Sequence, residues 1–87
     1  MTVTISYEPF DRLIVSLRND GLLKDSDLLH HMIHKVAWTS GSELIGELGQ
    51  SIKKIKKENI NSLSVNSKKN IKESMDIVKR VWPDFPG

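Results

Sequence analysis

Residues 40–58 read SGSELIGELGQSIKKIKKE, and the reading of this stretch decides the fold. Leu44, Ile45, Leu48, Ile52 and Ile55 recur at helical steps. A step of three or four returns a side chain to the same face of an α-helix, so these five residues form one apolar stripe. Ser40 and Glu43 frame the start as a capping box, in which the serine hydroxyl accepts from the N–H three residues on and the glutamate reaches back. Acidic residues open the segment and lysines close it, the order that a helix dipole favours. The stretch therefore predicts a helix over 41–58 with a single face that must be covered.

Three further stripes are available to cover it. Phe10, Leu13, Ile14 and Leu17 form one, and Leu28, Leu29, Met32, Ile33 and Val36 a second. Ile71, Met75, Val78 and Trp82 form the third. Their spacing predicts helices near 9–19, 26–38 and 67–81. Pro9 suits a first turn, where a missing N–H costs nothing. Asn19-Asp20-Gly21 stops the first helix, with Gly21 left-handed and Leu22 supplying the apolar contact of a Schellman motif. Asp25 or Ser26 is the expected N-cap of the second helix. Asn59 to Ser67 reads as a polar loop anchored by Leu63 and Val65. The fourth helix starts near Ser64 or Ser67 and ends at Val81, because Trp82 precedes Pro83 and is pushed out of helical geometry.

These elements give an all-α fold in one domain spanning 1–87, a small four-helix bundle or orthogonal helical array. Short turns at 20–24 and 39–41 favour successive helices as neighbours. The expected core is Phe10, Leu13, Leu17, Leu29, Met32, Ile33, Val36, Leu44, Leu48, Ile52, Ile71, Met75, Val78 and Trp82. Residues 83–87 form a C-terminal tail, and residues 1–7 an extended N-terminal one. Val3, Ile5 and Tyr7 alternate with polar residues, a strand signal, but no second strand exists in the chain to pair with, so a packed or irregular tail is expected.

The chain has 87 residues, 28% of them charged and 38% apolar, with no cysteine and a net charge of +2. That is the composition of a globular domain rather than a disordered one. Without cysteine there is no disulfide framework and no thiolate zinc site, which fits a reducing compartment, and the first residues lack the charge and apolar block of a secretion signal. A cytoplasmic protein with no membrane association is expected. The charge is segregated: residues 1–50 carry net −3, residues 51–80 net +6, and Asp84 adds −1. Such a division favours complementary association or a polyanionic partner at the basic end.

Few residues are left over for chemistry. His30 and His34 are four apart and share a helix face, but a zinc site needs three or four ligands. Solvated or interface histidines are the expected role of His30, His31 and His34, and no metal or cofactor is expected. Trp38-Thr39-Ser40-Gly41 joins two helices in the layout of a helix-turn-helix, yet its second helix would turn Glu43 and Glu47 toward phosphates. The pair Glu43 and Glu47 is accounted for by capping and the dipole. No nucleophile–base pair, serine elbow or phosphate loop occurs, so no enzymatic activity is expected.

Two functional classes remain. The first is a non-enzymatic protein–protein interaction module, of the kind of a small bacterial regulator or immunity-type inhibitor, whose size and helicity it shares without a motif that assigns it. Its support is the segregated charge and the surplus apolar residues Val3, Ile5, Val15, Leu22, Ile60 and Phe85. The second is binding of nucleic acid or another polyanion through Lys53, Lys54, Lys57, Lys68, Lys69 and Lys72. Against it stand the scarcity of arginine and the lack of aromatic residues among the lysines. Gly46 and Gly49 each cost about 1 kcal/mol relative to alanine inside a helix. A close helix contact at Gly46 and Gly49 would compensate. Together with the charge division and the Val3-Ile5-Tyr7 edge, this leads to the expectation of a homodimer.

Overall fold

A computed structural model of the chain describes residues 7–38 and 40–86. Four helices follow one another: α1 over Glu8–Asn19, α2 over Leu23–His34, α3 over Gly41–Glu58 and α4 over Val65–Val81. The α1 helix packs against α2 and α4, while α3 packs against α4 and, less extensively, against α2. The helices thus close a ring around one core, which is the four-helix arrangement that the stripes require. Among the described residues no helix is long and apolar enough to cross a membrane. The expected N-terminal tail, apart from Tyr7, lies outside the described residues.

The first turn forms as read. Gly21 has φ +84°, the left-handed region that lacks a penalty only for glycine. Leu22 N–H donates to Leu17 O at 2.9 Å and Gly21 N–H to Arg18 O at 3.0 Å. That pair of bonds is the Schellman pattern, and Leu22 packs against the core beside it. The turn is so tight that α2 begins at once, at Leu23, and neither Asp25 nor Ser26 caps it. Both serve tertiary contacts instead. Ser26 is fully buried and its hydroxyl donates to Ile14 O of α1 at 3.0 Å, and Asp25 accepts from Asn59 Nδ2 at 3.1 Å.

The α2 helix ends at His34, short of the expected residue 38. The chain then folds back so that Trp38 Nε1 donates to Met32 O at 2.6 Å, satisfying a carbonyl of the last helical turn. This leaves Val36 beyond the helix and 38% exposed, not in the core. Ser40 caps α3, its hydroxyl accepting from Glu43 N–H at 3.2 Å. Ser64 caps α4 in the same way through Ser67 N–H at 3.1 Å.

The core comprises Phe10, Leu13, Ile14, Leu17, Leu29 and Met32 from α1 and α2, with Leu44, Ile45, Leu48, Ile52, Ile55, Leu63, Ile71 and Val78 from the second half. Ile33 and Met75 are only partly buried at its margin. Trp82, expected in the core, is 44% exposed. The α4 helix stops at Val81 and the chain turns at Trp82-Pro83, so the indole lies over the surface of α3 with Nε1 donating to Ser42 O at 2.8 Å. Phe85 takes the inner position, partly buried against the core.

Gly46 and Gly49 find their close contact inside the chain. A Cβ on Gly49 would meet Val78 Cγ1 at 2.7 Å and Phe85 Cζ at 2.9 Å, and one on Gly46 would meet Trp82 Nε1 at 3.2 Å. The glycines let α4 and its tail approach α3, so they give no argument for a second chain. The inferred reason for a dimer is corrected on this point.

Candidate functional site

The α4 helix carries Lys68, Lys72, Met75 and Lys79 at steps of four, three and four, which puts them on one stripe beside its buried face. On α3, Lys56 lies one turn beyond Ile52 and borders the core. The antiparallel packing of α3 and α4 brings the two together around a groove of about 490 Å³. Its rim is formed by Lys56, Lys68, Lys72 and Lys79, with Asp76 as the one acidic member, and its apolar floor by Ile60, Leu63, Ile71 and Met75. Leu63 and Ile71 are core residues seen from outside, whereas Ile60 is 54% exposed. Among the described residues none of the four rim lysines forms an ion pair.

Of the six lysines predicted as a polyanion surface, only Lys68 and Lys72 belong to this groove. Lys69 faces the opposite side of α4, where it lines a cleft against α1 with Asp11, Arg12 and Glu73. That cleft is bridged by its own bonds: Arg12 pairs with Glu8 at 2.6 Å and Glu73 at 3.1 Å, and Asn70 Nδ2 donates to Ser16 Oγ at 3.2 Å. Lys53, Lys54 and Lys57 are exposed on the outer face of α3, away from the groove. The predicted six therefore do not form one surface. Lys56 and Lys79 were missed as site residues. The signal for Lys79 was present in the regular 68-72-75-79 spacing, and that for Lys56 in its place one turn after Ile52.

The apolar floor could not be read from the sequence. Ile60 and Leu63 sit in the α3–α4 connection, where no periodicity assigns a side, and their position depends on how that connection is fixed. Asn59, the C-cap of α3, ties it to Ile55 O at 2.9 Å and to Asp25 of α2. At its other end Asp20 receives Ser64 N–H and Ser64 Oγ, each at 3.1 Å, and Ser67 Oγ. Burial pushes the Asp20 carboxyl up, but the bonds from Ser67 and Ser64 outweigh it and hold the group below its ordinary value of 3.8.

The histidines sit outside this region. His34 Nε2 lies 3.1 Å from Asp11 Oδ1, and the His30 and His34 rings are 4.7 Å apart. Among the described residues no group of three or more His, Cys, Asp or Glu side chains is placed to hold a metal ion.

A second cavity, of about 430 Å³, lies at the other end of the α3–α4 pair. Glu43, Glu47 and Asp84 give it an acidic edge, and Trp82, Pro83 and Phe85 an apolar wall. The molecule thus presents a basic groove and an acidic, aromatic-walled cavity on the same two helices. Compared with protein-family models, curated proteins and solved structures, the chain matches none.

Proposed function

We propose that the chain is a non-enzymatic protein-interaction module whose groove between α3 and α4 receives an acidic, amphipathic segment of a partner protein. The observation that carries this reading is the pairing of four unengaged lysines with an apolar floor. Lysine ammonium groups select carboxylates, while burial of Met75 and Ile60 against a partner's apolar side chains supplies the non-directional part of the affinity. A helix with alternating acidic and apolar faces matches both features. A small regulator or immunity-type inhibitor works in this way, by occupying an acidic surface of its target. The cysteine-free composition suits a cytoplasmic setting.

Titration of an acidic amphipathic helical peptide, followed by NMR of the 15N-labelled protein, tests the reading. Amide shifts should cluster at Ile60, Leu63, Lys72 and Met75. Affinity should fall at least about tenfold in both Lys68→Glu/Lys72→Glu and Met75→Ser, since one removes the charge match and the other the floor. Mixed-sequence DNA is the competing ligand. DNA binding that is steeply salt-dependent, lost in Lys53→Ala/Lys54→Ala/Lys57→Ala and indifferent to Met75→Ser, would overturn the proposal in favour of a polyanion surface.

A further inference from the structure

The outer face of α3 carries a charge pattern that its own chain does not use. Glu43, Glu47, Gln50, Lys53, Lys54 and Lys57 are all exposed there, and among the described residues none of the charged ones forms an ion pair. Within the helix their spacing works against them. Glu43 and Glu47 are four apart, and so are Lys53 and Lys57, which places like charges on neighbouring turns. Apart from Lys54 and Glu58, four residues apart, opposite charges are separated by the uncharged turn around Gln50.

The pattern is symmetric about Gln50. Residues 43, 46 and 47 lie as far before it as 57, 54 and 53 lie after it. A second α3, laid antiparallel across a twofold axis at Gln50, therefore sets Glu43 against the partner's Lys57 on the seam and Glu47 against the partner's Lys54 on the same flank of it. Both pairs occur twice. Each like-charge neighbour within a helix gains an opposite charge across the axis, as in the e and g pairs of coiled coils. On the other flank Trp82 covers Gly46 with its indole 44% exposed, and the partner's Lys53 approaches it there. The acidic cavity between α3 and the Trp82–Phe85 tail opens at the same place, so the partner's Lys53 stem meets an aromatic wall and its ammonium the acidic edge of the cavity.

We infer that this face is the self-association surface of the protein, and that its occupant is a second copy of the chain in antiparallel, twofold register about Gln50. The surface is distinct from the basic groove and does not depend on the partner proposed for it. The contact is one helix long and polar, so the dimer is weak and salt-sensitive, in the class of small transient interfaces.

Sedimentation equilibrium across a hundredfold concentration range tests it. At about 20 mM salt the mass should rise from 9.9 kDa toward twice that value, and at about 0.5 M salt it should stay near 9.9 kDa. Glu47→Lys alone and Lys54→Glu alone should each abolish the rise, because each sets like charges together at both symmetry-related positions. An equimolar mixture of the two variants should restore it, since every 47–54 pair is again opposite in sign. Asp27→Lys, the same charge change on exposed Asp27 of α2, should leave the rise intact, and far-UV circular dichroism should show all variants helical. A constant mass for the parent at low salt overturns the inference. So does a dimer that survives both single changes, or a mixture that remains monomeric while the parent associates.

Discussion

The Asp20 carboxylate accepts a hydrogen bond from Ser67 Oγ, joining the C-cap of α1 to the first turn of α4 across 47 residues of sequence. The same Oδ2 atom receives the N–H and hydroxyl of Ser64, the α4 N-cap. A negative charge thus sits where the α4 dipole is positive and its N–H groups lack helical partners. The bond fixes the register of α1 against α4 and one end of the loop that carries the groove floor.

Asp20→Asn should lower stability at pH 7 by about 1.5–3 kcal/mol, the range for hydrogen bonds to a charged group. The pH dependence has a definite sign. Because the folded carboxyl lies below its ordinary value of 3.8, its contribution is fully present above that pH and is lost as pH falls below it toward the folded value. Urea unfolding of the parent should weaken in this acid range, and Asp20→Asn should lack that part of the loss. Equal stability of the two proteins at neutral pH would contradict the role.

Gly49→Ala should destabilise the protein by about 1–3 kcal/mol despite the better helix propensity of alanine. The added methyl would stand 2.7 Å from Val78 Cγ1, fully buried, and 2.9 Å from Phe85 Cζ, packed against the core. Gly46→Ala meets only the edge of Trp82 at 3.2 Å, and a surface indole can tilt away, so its cost should be the smaller. Thermal midpoints of the two variants give the ranking.

Two buried serines should respond oppositely to alanine. Ser26→Ala removes the bond to Ile14 O and should cost about 0.5–1.5 kcal/mol. Ser74 Oγ is fully buried and, among the described residues, is the one buried side-chain polar atom without a hydrogen-bond partner. Ser74→Ala removes an unsatisfied hydroxyl and improves helix propensity, and it should stabilise by up to about 1 kcal/mol. Chemical denaturation of the pair decides the matter, and a destabilised Ser74→Ala would refute it.

Leu48→Ala should cost about 2–5 kcal/mol, because the side chain is fully enclosed at the centre of α3. Val36→Ala should stay within about 0.5 kcal/mol, as expected of an exposed residue beyond the end of α2. Comparable losses in the two variants would place Val36 in the core after all.

The sequence by itself determined four helices, their order and most of the face each one buries, Leu28, Val36 and Trp82 being the exposed exceptions. Those properties follow from local spacing and from caps such as Ser40 and Gly21, whose hydrogen bonds close within a few residues. Only the tertiary structure decided what the ends and connections do. Ser26 reads as an N-cap but is a buried link to α1. Trp82 reads as core but lies at the surface, because Pro83 turns the chain and Phe85 takes the inner place against Gly49. Lys56, Ile60 and Met75 come together from a helix end, a loop and a second helix. Whether a lysine borders an apolar floor or faces open solvent depends on which helix lies beside it, and helical periodicity within one segment does not encode that neighbour.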